Sequence, residues 1–352
     1  MTVIEEMNWE DEMTAEVLAD RYGIEAESVE QVPMGTDTVN WRVVTSSGQR
    51  LYVKEYPASA DLEAARAAWD MSEFCRAARL PVPRVWPDRA GNLLSLADGS
   101  PWAVVEEAPG KVSTSPMTVA LAEHTGMVLG RMHRVLAAYP LPRRRQHVRW
   151  RTGSVEDAVA KCDTVLDAAR RQQADNLDRL RGQIAQRRED LQAQVGRLRA
   201  HLPEDLVEQA LHADFSRTNV LVQAGVVTGV IDFRAARAVP AWELGRAACD
   251  PRTLANSDQW ADCVLAMAAA YRSENPTLPV AEVHNCARIA LLYMLFSFYG
   301  ATTAEYDLPY EAEADLQRYW SERQRSIRRL IENLAELEDA LAAGTGRPRG
   351  TS

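Results

Sequence analysis

One stretch constrains this chain more than any other. It is Leu211-His-Ala-Asp-Phe-Ser-Arg-Thr-Asn-Val-Leu-Val, followed shortly by Gly229-Val-Ile-Asp-Phe. The first part sets His212, Asp214 and Asn219 in the order H-x-D-x-x-x-x-N, with apolar residues on both sides as a strand would have. Asp232 then lies eighteen residues beyond Asp214, room enough for a hairpin that returns it beside Asn219. Taken singly, each of these residues fits an ordinary turn or strand end. Taken in order, they supply what phosphoryl transfer needs. One carboxylate accepts or orients the proton of an attacking hydroxyl, and an amide oxygen and a second carboxylate hold Mg²⁺ against phosphates.

The rest of the chain is compatible with a large soluble enzyme. At 352 residues it is long enough for two or three units and needs no staple to fold. The net charge of −10 disfavours binding to a nucleic-acid backbone and tolerates cationic small molecules. Cys75, Cys162, Cys249, Cys263 and Cys286 are odd in number and scattered, which reads as free thiols in a reducing cytosol. The acidic start lacks a signal-peptide pattern, and the most apolar stretch, 289–299, is too short to span a membrane. A cytoplasmic protein is expected.

The first hundred residues are β-rich. Strands are expected at 40–45 and 51–56, a helix at 60–78 ended by Pro81 and Pro83, and a hairpin across 92–106. From Pro116 the chain is mostly helical. Apolar residues at 155–169 and again at 177–202 step by three and four, predicting two long helices. We read them as an antiparallel hairpin within the chain, with a dimerising coiled coil as the alternative, so monomer and homodimer both stay open. The tail 344–352 is expected to be disordered.

On its 211–233 motifs the sequence resembles the aminoglycoside phosphotransferase family, which includes choline kinases, type II homoserine kinases and antibiotic kinases. The resemblance spans about 31–320 and is weakest over 143–202. It implies an α+β, bilobal protein-kinase-like fold. A small β-rich lobe would cover 1–106, and a helical lobe 107–343 would carry a helical insertion at 143–202. It also implies Asp214 as catalytic base, Asn219 and Asp232 as metal ligands, and His212 as a brace of the catalytic loop. Ala213 stands where the family commonly has glycine. Glu243, in Trp242-Glu-Leu-Gly-Arg, would be a second brace. Arg217 is either a phosphate contact or a solvent-exposed loop arginine.

The same template assigns upstream residues. Lys54 is one of only three lysines and sits mid-strand, where a lysine needs an anionic partner. It would pair the nucleotide phosphates and a helix acid. Asp70 is the first candidate for that acid, with Glu63 and Glu73 as alternatives. Gly35, Thr36 and Thr38 would form the phosphate loop, although one glycine is not a G-x-G-x-x-G match. The Glu106 carbonyl and Ala108 amide would read the purine edge, and either ATP or GTP would serve as donor. Arg234 follows Asp232-Phe233 where a protein kinase has glycine, so a protein kinase is disfavoured.

The acceptor would be set by the helical lobe. Glu305, Asp307, Glu311, Glu313 and Asp315, with Tyr299, Tyr306, Tyr310 and Trp320, either line a cleft for a polycationic or glycosidic ligand or form a solvated face. The first expectation is an aminoglycoside or an amino-sugar or nucleoside antibiotic, making the protein a resistance enzyme. The alternatives are a metabolic kinase for choline, homoserine or a sugar, and a catalytically dead nucleotide-binding pseudokinase.

Overall fold

The computed structural model describes residues 9–32, 38–301 and 310–345. The N-terminal region opens with helix α1 (Trp9–Val17), continued by a π-turn over Leu18–Tyr22. Strands β1 (Ala26–Val32), β2 (Val39–Thr45) and β3 (Arg50–Glu55) follow, then helix α2 (Leu62–Ala77) and strands β4 (Val85–Trp86), β5 (Ser95–Ala97) and β6 (Ser100–Glu106). They form one antiparallel sheet in the order β1-β2-β3-β6-β4, with β5 also on β6. The strand pairs and helix expected here are present; α1 and β1 were not anticipated.

Strand alternation decides what each face of this sheet does. Leu51 and Val53 of β3 turn to one side, where they join Val43, Val104 and the stacked pair Trp41–Trp102, 5.4 Å apart, in a core closed by α1. Tyr52 lies on the other side with Ala65, Trp69, Ala103 and Val105, under α2. Lys54 follows Tyr52 by two residues and therefore shares the α2 face. Asp61 starts α2 by accepting the Ala64 amide at 3.1 Å.

Beyond β7 (Lys111–Val112) the chain is helical: α3 (Val119–Leu136), α4 (Arg149–Thr152), α5 (Val155–Arg171) and α6 (Leu177–Arg199). A β segment interrupts with β8 (Gln209–Leu211), β9 (Val220–Gln223), β10 (Val226–Val230) and β11 (Ala236–Ala238). Helices α7 (Pro240–Ala248), α8 (Pro251–Asn256), α9 (Trp260–Glu274), α10 (Val280–His284), α11 (Cys286–Phe296) and α12 (Tyr310–Thr345) complete the fold. Helix α12 runs through Gly344 and Thr345, so the expected disordered tail begins too early by at least two residues.

The long-helix pair is present, and its stripe is covered in cis. Cys162 and Val165 of α5 and Leu180, Ile184, Leu191, Val195 and Leu198 of α6 are buried in one core with residues of α11 and α12. Two arginines are buried at the same place. Arg187 of α6 packs against the stacked rings of Phe298 and Trp320 and donates through Nη1 to the carbonyls of Met294, Leu295 and Ser297 at 2.7–3.1 Å. Arg323 of α12 donates to the Ser297 and Tyr299 carbonyls and the Ser297 hydroxyl. Burial, and then repulsion by Arg323, pushes the Arg187 pKa down to about 9. Trp320, expected as a cleft residue, is instead part of this core, and its indole donates to Gln183.

Helix α7 can approach α11 because of Gly245. A Cβ there would stand 2.3 Å from the Cys286 carbonyl oxygen, which no side chain tolerates. This close contact fixes the helix that carries Glu243 and Arg246. All five cysteines are buried and free. Among the described residues no helix is long and apolar enough to cross a membrane.

Candidate active site

The site is built on the β8–β11 pair and the β9–β10 hairpin. Ala213, directly after His212, has a φ of +67° and turns the chain sharply. The His212 ring then lies under the loop. Its Nε2–H donates to the Ile231 carbonyl at 2.9 Å, and its Nδ1 accepts the Asp214 amide at 3.1 Å. That pair of bonds requires a neutral imidazole, and burial pushes its pKa down. Glu243 holds the next residue: Oε1 accepts the Phe215 amide at 3.2 Å and Oε2 accepts from His133 at 3.0 Å. Burial pushes the Glu243 carboxyl up, but hydrogen bonding and charge from His133 outweigh it and hold it below the usual range. Both residues sit where the loop needs bracing.

The hairpin returns Asp232 as the spacing requires. The Ile231 amide donates to the Asn219 carbonyl at 3.0 Å, setting Asp232 next to Asn219. Asp232 itself has a φ of +60°. Its Oδ1 is paired with Lys54 Nζ, and Lys54 lies 6.0 Å from the centroid of the Trp69 ring. Asn219 donates through Nδ2 to the Asp214 carbonyl and to Asp214 Oδ2, at 2.9 and 3.2 Å. Its amide oxygen is left without a donor among the described residues. That oxygen and the Asp232 carboxylate are hard donors at one spot. They fit a magnesium ion, which takes one or two protein oxygens and completes its shell with phosphates and water.

Three arginines surround this centre, and two of them had no assigned role in the sequence. Arg246 Nη2 lies 3.1 Å from Asp214 Oδ1, with its guanidinium over the Trp242 and Tyr293 rings at 5.0 and 5.2 Å. Arg234 Nε lies 3.3 Å from Asp214 Oδ2. Arg246 was legible in principle: it follows Glu243 by three residues on a helix, so both meet the same loop. Arg217 is largely buried, not a solvent-exposed loop arginine. It donates to the Ser113 carbonyl at 2.6 Å and faces Asp250, tying the catalytic loop to the segment after β7.

The expected helix acid is also corrected. Asp70 is exposed on α2 and does not touch Lys54; partial loss of solvent around its carboxyl raises its pKa and Arg66 opposes the rise. Glu63 pairs with Arg143, and Glu73 with Arg76 and the Val85 amide. The α2 residue that meets Lys54 is Trp69, one position away. A period of 3.6 residues turns neighbouring side chains about 100° apart, and the burial of Trp69 against the sheet turns Asp70 outward.

Glu106 ends β6, and Ala108 follows in an irregular segment where its amide has no hydrogen-bond partner among the described residues. Thr38 precedes β2 and donates to Asn40 at 3.1 Å. Gly35 and Thr36 lie outside the described residues, as do Glu305, Tyr306 and Asp307; for Tyr310 only the backbone is described. Asp315 is exposed and paired with Arg318. A cleft of about 420 Å³ is lined by Gln146, Arg149, Trp150 and Lys161 on one side and Tyr293 and Phe296 to Gly300 on the other. Tyr293 links it to the centre: its ring also packs 5.2 Å from the guanidinium of Arg246, which contacts Asp214. The first side belongs to the 143–202 insertion.

The model of the phosphotransferase enzyme family matches residues 28–284. The chain belongs to that family. A homoserine kinase of Zymomonas mobilis is 23% identical over 224 residues, covering 62% of each chain, so the match spans about three fifths of that relative's length. Among solved structures, an aminoglycoside phosphotransferase of Alicyclobacillus acidocaldarius is similar with a TM-score of 0.64 at 14% identity, covering 96% of this chain and 98% of the other. An amicoumacin kinase in complex with AMP-PNP, Ca²⁺ and Ami is similar with a TM-score of 0.61 at 17% identity, covering 89% and 92%. These likenesses establish the kinase-like α+β fold for the phosphotransferase.

Proposed function

We propose that this phosphotransferase is a magnesium-dependent kinase that moves the γ-phosphoryl group of ATP or GTP to a hydroxyl of a small molecule. The convergence of Asp232 and Asn219 beside Asp214, with Lys54 brought to Asp232 from a strand 178 residues earlier, carries this reading. The Ala108 amide, free to meet a purine edge, and a nucleotide analogue in the amicoumacin kinase agree with it.

Each residue has a distinct task. Lys54 leaves Asp232 for the nucleotide phosphates. Asp232 and the Asn219 amide oxygen hold the metal, which when bound draws charge from the phosphates. Asp214 receives the acceptor O–H as a hydrogen bond and takes its proton while the acceptor oxygen bonds to phosphorus and the bond to the β-phosphate breaks. His212 and Glu243 keep the loop in place. A catalytically dead binding module has no call on this complete set.

For the acceptor, the described cleft wall carries cations, which matches a polycationic aminoglycoside poorly. Together with the homoserine kinase relative, this favours a metabolic kinase over the antibiotic resistance enzyme expected first. Five buried free thiols suit work in a reducing cytoplasm. The test is nucleotide consumption by the purified protein, with ATP and GTP in parallel, against a panel of hydroxylated metabolites and antibiotics. Mg²⁺-dependent turnover with one acceptor is expected; no consumption with any of them would leave a binding module.

A further inference from the structure

The acceptor cleft has a charge pattern opposite to that of the chain as a whole. The protein carries a net charge of −10, yet the described residues lining this cleft include Arg149, Lys161 and His147 and no carboxylate. Among the described residues, no acid is paired with Arg149. Behind Phe298 lies Arg187, fully buried, with Nε and Nη2 lacking an acceptor and, among the described residues, no carboxylate in an ion pair with it, although the charge of Asp190 acts on it from nearby. A charge fixed in a poorly polarisable interior is weakly screened, so its field reaches into the cleft. Between the cations stand Trp150, Tyr293, Phe296, Phe298 and Tyr299.

Building on the kinase reading above, we infer that this cleft takes an acceptor bearing an anionic group, a carboxylate in the first instance, on an apolar or ring-containing body. The anion is held by Arg149 and Lys161 at the insertion side, and the body lies against the aromatic wall. The hydroxyl then extends past Tyr293 toward Asp214. Arg246 lies on that path, its guanidinium packed against the Trp242 and Tyr293 rings, so it is a positioning residue for the base and bars a cationic group from coming close. A polycationic ligand would bring its charges against Arg149, Lys161 and Arg246 together.

The proposal is tested on the full chain with AMP-PNP and Mg²⁺ present, by ligand-observed NMR titration. The probes are para-(hydroxymethyl)benzoate, its primary amide, and kanamycin. The benzoate is expected to bind at least about tenfold more tightly than the amide, the worth of a hydrogen-bonded charge. Arg149→Gln with Lys161→Gln is expected to erase that preference while the AMP-PNP affinity stays at the wild-type value, which also shows the variant to be folded. Equal or tighter binding of the amide, tighter binding of kanamycin, no binding of the benzoate, or a preference that survives the double substitution would overturn the inference. Failure of the wild-type protein to bind AMP-PNP with Mg²⁺ would instead overturn the kinase reading itself.

Discussion

Ala213 stands in the left-handed region, where a Cβ crowds the following carbonyl. A glycine there removes the strain at the cost of one small buried methyl. Ala213→Gly is therefore expected to raise stability by about 1 kcal/mol in urea unfolding, with the catalytic loop unchanged. Its neighbour sets a pH dependence. His212 is neutral in the folded loop, with a pKa below its ordinary 6.5. As pH falls through that value the unfolded chain takes up a proton and the folded chain does not. Stability is therefore complete above the ordinary value and declines toward the folded pKa. Unfolding midpoints measured from neutral to mildly acid pH should fall, and fall less in His212→Gln. Asp214→Ala should reduce kcat by about 10²–10⁴-fold, the usual worth of a general base, with nucleotide affinity nearly intact. Wild-type turnover in that variant would remove Asp214 from the reaction. At this scale the sequence was informative wherever a residue's role is fixed by its neighbours in the chain. The ordered pattern from His212 to Asn219 is of that kind. The contact of Arg246 with Asp214 is of that kind only in its spacing from Glu243; its reach depends on how α7 is pressed against α11.

The helices α5 and α6 show what periodicity conveys and what it omits. Their stripe announced two long helices, and its heptad-like spacing favoured a partner in cis while leaving one in trans as the lesser option. The structure covers it with α11 and α12, so each large aliphatic residue on it is a core residue. Leu180→Ala and Ile184→Ala should each cost about 2–5 kcal/mol in denaturant unfolding. Because the insertion also forms one wall of the cleft, the double variant should raise acceptor KM and leave nucleotide KM nearly unchanged. A shift from dimer to monomer in light scattering, with acceptor KM unaltered, would show that the stripe serves association instead. Helix α2 teaches the converse. Its spacing placed Asp70 at the right distance from Lys54 along the chain, but the helix rotation follows the burial of Trp69, which outweighs a charge that water solvates well.

Across the whole molecule, the β-rich and helical parts meet at several places, among them Glu63 on Arg143, Phe74 on Tyr139 and the Val230 amide on the Pro81 carbonyl, and at the catalytic centre through the Lys54–Asp232 pair. A nucleotide with its metal replaces that pair with several contacts, and so couples the two parts more tightly. AMP-PNP with Mg²⁺ at a hundred times its Kd should stabilise the fold by about 2.7 kcal/mol, read as a rise in Tm. Asp232→Ala should abolish most of the gain, and Asn219→Ala should shift only the Mg²⁺ concentration needed. The lobed architecture was legible because strands, a long helical half and a signature motif each leave a local pattern. The acceptor side was not, because its wall is assembled from α4, α5, α11 and the chain beyond α11, and its cations stand far apart in sequence. The anchoring of that last segment has a consequence for how the enzyme diversifies. Arg187 and Arg323 grip residues 294–299 mainly by their carbonyl oxygens, which every amino acid possesses. The rim is thus held by its main chain, and the exposed side chain at 299 can be exchanged without loss of that frame, whereas Phe298 packs on Arg187 and Trp320. A new acceptor can be acquired by changing that one letter while the foundation stays where it is.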